Sequence, residues 1–182
     1  MLRMIREDAA HHYAISRATW GFSEPAPYRV PVMCLAIETV EQPSIFSEEK
    51  ARRRQPRWNL DIWMPGLSDK MIVPGSQFSI SECYDDHTGI IFTMFHYTES
   101  EGTEPNVIKI TGRENDFLDL SIEGFVRDAH ASMPPTRITV DARFTRLTPH
   151  PEISAQFGGR ENLPSHQPPC GAIYSPPKTP KS

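Results

Sequence analysis

No apolar run in this chain approaches the ~18–20 residues that a helix needs to cross a bilayer. Nor is there an excess of basic charge. The formal net charge is −4 and the isoelectric point about 6.0. A protein that binds nucleic acid broadly presents a basic surface, so that class is excluded as an expectation. Cysteine is scarce: Cys34, Cys83 and Cys170 are odd in number and far apart, which is not a disulfide framework. The recurrent catalytic signatures are missing too. The chain has no G-x-S-x-G, no phosphate-binding P-loop, no G-x-G-x-x-G, no H-E-x-x-H and no EF-hand loop. The opening MLRMIREDAAHHYAISRATW is interrupted early by Arg3, Arg6, Glu7 and Asp8. It does not read as a secretion signal, and its acids argue against a mitochondrial presequence. The expected compartment is the cytoplasm.

What is present is proline and a strand period. The 182 residues suit one domain with a sizeable core. Proline is frequent, at 18, and eight of these fall in residues 148–182. Each proline fixes φ and removes a backbone donor, so long helices and deep central strands are disfavoured where they cluster. Residues 1–31 are expected to hold a short helix over 2–18, with Leu2, Ile5, Ala9 and Tyr13 near one face, then an extended lead-in through GFSEPAPYRVP. Residues 32–147 read as the main domain and 148–182 as a Pro-rich C-terminal extension.

Within the main domain the apolar period is two. The segments 32–40, 58–64, 77–84, 89–98, 106–111, 117–126 and 137–147 each read as a strand. FLDLSIEGFV is the clearest, with Leu118, Leu120, Ile122 and Val126 inward and Asp119, Ser121 and Glu123 outward. VMCLAIETV and GIIFTMFHYT are apolar on both faces. Seven such strands with turns between them, and no alternation with helices, predict an antiparallel β-sandwich. A helix capped by Ser47 is expected in the connection 43–57, with Arg52, Arg53 and Arg54 near its C-terminal end.

The densest group of reactive side chains is ECYDDHTGIIF, which holds Cys83, Asp85, Asp86 and His87 within five residues. Zinc accepts Cys and His, but two further ligands at matching spacing are lacking. Asp85, Asp86, Thr88 and Gly89 are turn chemistry, and the stretch reads as a hairpin tip with its turn at 85–88. Pairing from that turn sets Cys83 opposite Ile90 and His96 opposite Gln77, ~20 Å apart. A Cys–His nucleophile pair is therefore not expected. His11 and His12 diverge and read as surface residues, and the pair Asp119/Asp141 has nothing to single it out as acid and base.

No cofactor and no metal ligand is assigned. The expected function is a non-enzymatic, cytoplasmic protein-binding domain of the kind that masks a toxin as an immunity-type inhibitor or joins an assembly. Its expected contacts are the acids Asp85 and Asp86, the outward aromatics Trp63, Tyr97 and Phe125, and the basic run Arg52, Arg53 and Arg54. The same aromatics fit a second covered face equally well. One rival is a small metal-binding or hydrolytic enzyme with a site near residues 82–96. Another is a carbohydrate-binding module that stacks Trp63 and Tyr97 on sugar rings.

Overall fold

The computed structural model describes residues 1–6, 9–23, 30–44, 52–87, 89–126, 135–147 and 171–178. The chain opens with β1 (Leu2–Arg6), β2 (Ala9–Tyr13), β3 (Ile15–Ser23) and β4 (Val32–Thr39). Two short segments, β5 (Gln42–Pro43) and β6 (Arg53–Arg54), precede β7 (Arg57–Trp63) and β8 (Gln77–Ile80). Then come β9 (Tyr84–Asp85), β10 (Ile90–Ile91), β11 (Thr93–His96) and β12 (Ser100–Glu101). The long strands β13 (Thr103–Glu114), β14 (Phe117–Val126) and β15 (Thr136–Arg146) follow, and β16 (Ile173–Ser175) ends the series.

Ten of these strands form one path in the order β12-β11-β7-β4-β3-β15-β14-β13-β8-β16. The sheet is mixed, because β15 and β3 run parallel where Thr145 meets Thr19. It curls into a half-barrel rather than splitting into the expected sandwich of seven antiparallel strands. The curl is fastened where β11 approaches β13. There the Thr93 hydroxyl donates to the Thr103 carbonyl at 2.6 Å, and the Trp58 indole donates to the Thr103 hydroxyl at 3.1 Å. These groups are buried, so their mutual satisfaction is what makes the closure tolerable.

The expected N-terminal helix is absent. Leu2 and Met4 are buried in alternation, and β1 lies on β15 with Leu2 opposite Val140 and Met4 opposite Ile138. β2 folds back on β1. The spacing of Leu2, Ile5, Ala9 and Tyr13 suits a helix, but an open edge on β15 offers backbone partners and a core to fill. Tertiary pairing therefore overrides the local period. No α-helix occurs among the described residues. The middle of the expected 43–57 helix lies outside them. Its flanks pair as β5 and β6, so Arg53 and Arg54 stand on a strand instead of a helix end.

The concave face carries the core. Leu118, Leu120, Ile122, Val126, Ile138, Val140 and Phe144 alternate inward as their sequence period requires. They meet Met33, Leu35, Ile37, Trp58, Leu60 and Ile62 from the other half of the sheet. Burial of this apolar surface is the main driving force, at ~25 cal/mol per Å². Gly124 lets the two halves close: a Cβ there would overlap the Asn106 side chain and come within 2.7 Å of the Trp58 ring. One end of the half-barrel is plugged by Trp20, whose indole donates to the Asp116 carbonyl and is flanked by the guanidinium groups of Arg113 and Arg146.

Candidate functional site

The hairpin of residues 83–92 is a small ribbon apart from the main sheet. Ile90 lies opposite Asp85 and Ile91 opposite Tyr84, a register two residues away from the one expected. Local chemistry explains the shift. The Asp85 carboxylate accepts from the His87 amide at 2.9 Å, and the Asp85 carbonyl accepts from the Gly89 amide at 2.8 Å. Gly89 takes φ +68°, the left-handed conformation that glycine adopts without steric cost. The turn thus starts one residue later than 85. The expected long hairpin also dissolves. β8 pairs with β13 and β16, while β11 pairs with β7, so His96 faces Arg57 instead of Gln77.

The ribbon is anchored at its base. The Cys83 carbonyl accepts from Phe92, the Cys83 amide donates to the Glu104 carboxylate, and the Cys83 thiol lies against Gly102. Its outward face carries an apolar cross-strand pair, Tyr84 at 42% exposure and Ile91 at 43%. Glu82, Asp86 and His87 are exposed around it and Asp85 is half-buried. Tyr84 and Ile91 were not among the expected contacts. Their signal was available: in a two-residue-period ribbon, positions flanking an Asp-rich turn project from both neighbours.

The structure does not join the other expected site residues to this tip. Trp63 points away from the half-barrel interior, opposite Ile62, but is 0% exposed. Its carbonyl accepts from the Gly171 amide, which brings the described end of the C-terminal extension to the edge of β7. It therefore offers no open ring to a partner or a sugar. Tyr97 is half-buried and turned to the core, where its hydroxyl meets those of Tyr13 at 3.2 Å and Ser44 at 3.3 Å. Phe125 is partly buried beside Arg137. Arg52 is exposed, whereas Arg53 forms an ion pair with Glu41 at 3.3 Å and Arg54 is half-buried.

Among the described residues, the side chains named for a metal-binding or hydrolytic site do not cluster. His96 accepts from or donates to the Ser100 hydroxyl through Nδ1 at 2.7 Å, and desolvation followed by the Arg57 charge lowers its pKa. Among the described residues no group of three or more His, Cys, Asp and Glu side chains is placed to hold a metal. His11 and His12 lie on opposite faces of β2, and His130 and His150 lie outside the described residues. Asp119 is held by Arg143 through two bonds of 2.8 and 3.0 Å, which lowers its pKa, and Asp141 is paired with Arg3. That pair is an element of the outer surface rather than an acid and a base.

One polar pair was missed entirely. Cys34 on β4 lies opposite Asp61 on β7, both facing away from the half-barrel interior. The buried thiol hydrogen-bonds to the carboxylate, and burial first, then Asp61, pushes the thiol pKa well up. Asp61 keeps some contact with solvent yet is enclosed by dense protein. Desolvation raises its carboxyl to about 7, against a smaller opposing effect of the Cys34 bond. A high-pKa buried thiol is inert, so Cys34 is not a nucleophile. No protein-family model, curated protein or solved structure matches this chain.

Proposed function

We propose that this protein is a non-catalytic protein-binding domain that grips its partner with the 83–92 ribbon. The observation that carries this reading is the exposed Tyr84–Ile91 pair on a tip rimmed by Glu82 and Asp86. An apolar centre within a polar, charged rim is the usual anatomy of a contact surface. Aromatic side chains at such centres carry much of the binding energy. The acids add complementarity to a basic partner surface and speed encounter. The ribbon's base is fixed by hydrogen bonds, so little ordering is required on association. A basic toxin held inactive, in the manner of an immunity protein, and an assembly component are both partners of this chemistry. No nucleic acid, membrane or cofactor enters the reading.

The test is capture of partners from the native host by the wild-type chain and by the double variant Tyr84→Ser, Ile91→Ser. Both residues are exposed, so the variant is expected to unfold at the same temperature as the wild type. Partner recovery is expected to fall at least ~10-fold, since loss of a hot-spot aromatic alone costs about 2 kcal/mol or more. Equal recovery by the two chains would refute the assignment.

A further inference from the structure

Residues 171–178 tie together strands from the two ends of the curled sheet. The Gly171 amide donates to the Trp63 carbonyl on β7 at 3.1 Å, and β16 pairs with β8, setting Tyr174 opposite Phe78. β7 and β8 lie near opposite ends of the strand path. The segment's side chains alternate. Ala172 is buried and Tyr174 half-buried, while Ile173, at 69% exposure, and Ser175 face out. Three positions show a specific fit. At Gly171 a Cβ would come within 2.8 Å of the Phe92 ring, which is itself buried. The Tyr174 ring lies 5.4 Å from that of Phe78, and its hydroxyl meets the Ser76 hydroxyl at 3.3 Å. Pro177 rests on Gly75, where a Cβ would meet it at 3.1 Å. The hold is nevertheless shallow, because Ile173, Ser175, Pro176, Pro177 and Lys178 are all exposed. Backbone pairing with anchors at alternate residues is how an extended peptide adds to a sheet edge.

We propose that the surface formed by Trp63, Gly75, Ser76, Phe78 and Phe92 is an acceptor site for an extended peptide, which the chain's own residues 171–178 occupy as a displaceable tethered ligand. The partner it fits is a protein segment of the form Gly-small-x-Tyr-x-x-Pro. The backbone bonds supply affinity for any extended chain, and the side-chain positions select among chains. Phe92 admits only glycine at the first position, and the Phe78 ring with the Ser76 hydroxyl favours tyrosine at the fourth. A partner strand would replace residues 171–178 rather than leave the β8 edge bare, an arrangement that folded proteins avoid. A covalently tethered ligand competes at an effective concentration on the order of 1 mM, so the intact chain admits a free peptide only weakly. This site goes beyond the ribbon reading, since neither Tyr84 nor Ile91 is part of it.

The experiment is fluorescence anisotropy of the synthetic peptide acetyl-GAIYSPPK, labelled at its lysine, with the full chain as wild type and as Tyr174→Ser. The acetyl group keeps the glycine nitrogen an amide donor. Tyr174→Ser weakens the chain's own segment and leaves the acceptor residues intact. It is expected to bind the peptide at least ~10-fold more tightly than the wild type does. Peptides with serine in place of the tyrosine, or valine in place of the glycine, are expected to bind neither chain. The ribbon variant Tyr84→Ser, Ile91→Ser is expected to bind the peptide as the wild type does, so this site and the ribbon fail separately. Absence of binding to Tyr174→Ser, equal binding to both chains, or full binding of the valine peptide would overturn the site. If Tyr174→Ser does not fold, amide spectra of the isotope-labelled wild type in excess unlabelled peptide decide. Displacement of the signals of residues 171–178, with those of residues 77–80 still in their folded dispersion, supports the site, and unchanged signals reject it.

Discussion

Across β14 and β15 the outward residues meet as charges in water. Arg143 holds Asp119, Arg137 holds Glu123 at 2.8 Å, and Arg3 from β1 holds Asp141 at 3.1 Å. Across β3, β4 and β7 the outward residues Thr19, Gly21, Val32, Cys34 and Trp63 are buried, with Asp61 among them and unmatched by a basic partner among the described residues, while Arg17 and Glu38 pair at the more open end of that face. Both regions share one sheet and one concave core. The difference is what lies on the convex side. Where that side is wet, a carboxylate is stabilised by an exposed arginine and its pKa falls, as in Asp119. Where it is covered, the same group loses water without gaining a cation and its pKa rises, as in Asp61. Local environment, not residue type, sets the direction.

The comparison breaks most sharply at the aromatics. Trp63 on the covered side and Phe125 on the wet side were equivalent in the sequence pattern, each opposite an apolar set. Trp63→Ala is expected to cost about 3–5 kcal/mol, the range for emptying a buried aromatic site. Phe125→Ala is expected to cost roughly 1 kcal/mol or less, as at partly exposed positions. Urea unfolding of the two variants measures both, and comparable losses would erase the distinction between the faces. The smallest effect belongs to the ion pairs of the wet side. Arg137→Ala is expected to change stability by about 0.2–1 kcal/mol, and less in high salt, because both partners are exposed. A loss well above that in the same unfolding assay would mean that the wet face is more enclosed than described.

The sequence made some of this legible. The strict alternation of β14 and β15 allowed both the strands and their inward residues to be read directly. The apolar run of β4 correctly announced burial on both sides. The N-terminal strands were hidden because Leu2, Ile5, Ala9 and Tyr13 satisfy a helical spacing, while the decisive fact is a pairing with residues 137–140, far along the chain. The tip of the 83–92 ribbon was located, but its register turned on which oxygen of Asp85 accepts which amide. Trp63 could not be assigned to a free or covered face, since its 0% exposure depends on packing that no local pattern specifies. Cys34 and Asp61 are joined only through the β4–β7 register, which no local pattern specifies.

The most direct test of the contrast between the two faces is an NMR titration of the Asp61 side-chain carboxyl in the folded protein. The unfolded chain releases this proton near pH ~3.9. The folded chain holds it to about 7, with the Cys34 thiol the titratable group beside it and kept protonated throughout. Between those values the folded state binds the extra proton, so Asp61's contribution to stability is full below about pH 4 and is lost as pH rises through about 7. A titration midpoint near 7, absent from the spectrum of Asp61→Asn, is the predicted result. A midpoint near ~4, the ordinary carboxylate range, would contradict the account, because Asp61 would then be as well solvated as the acids on the wet face.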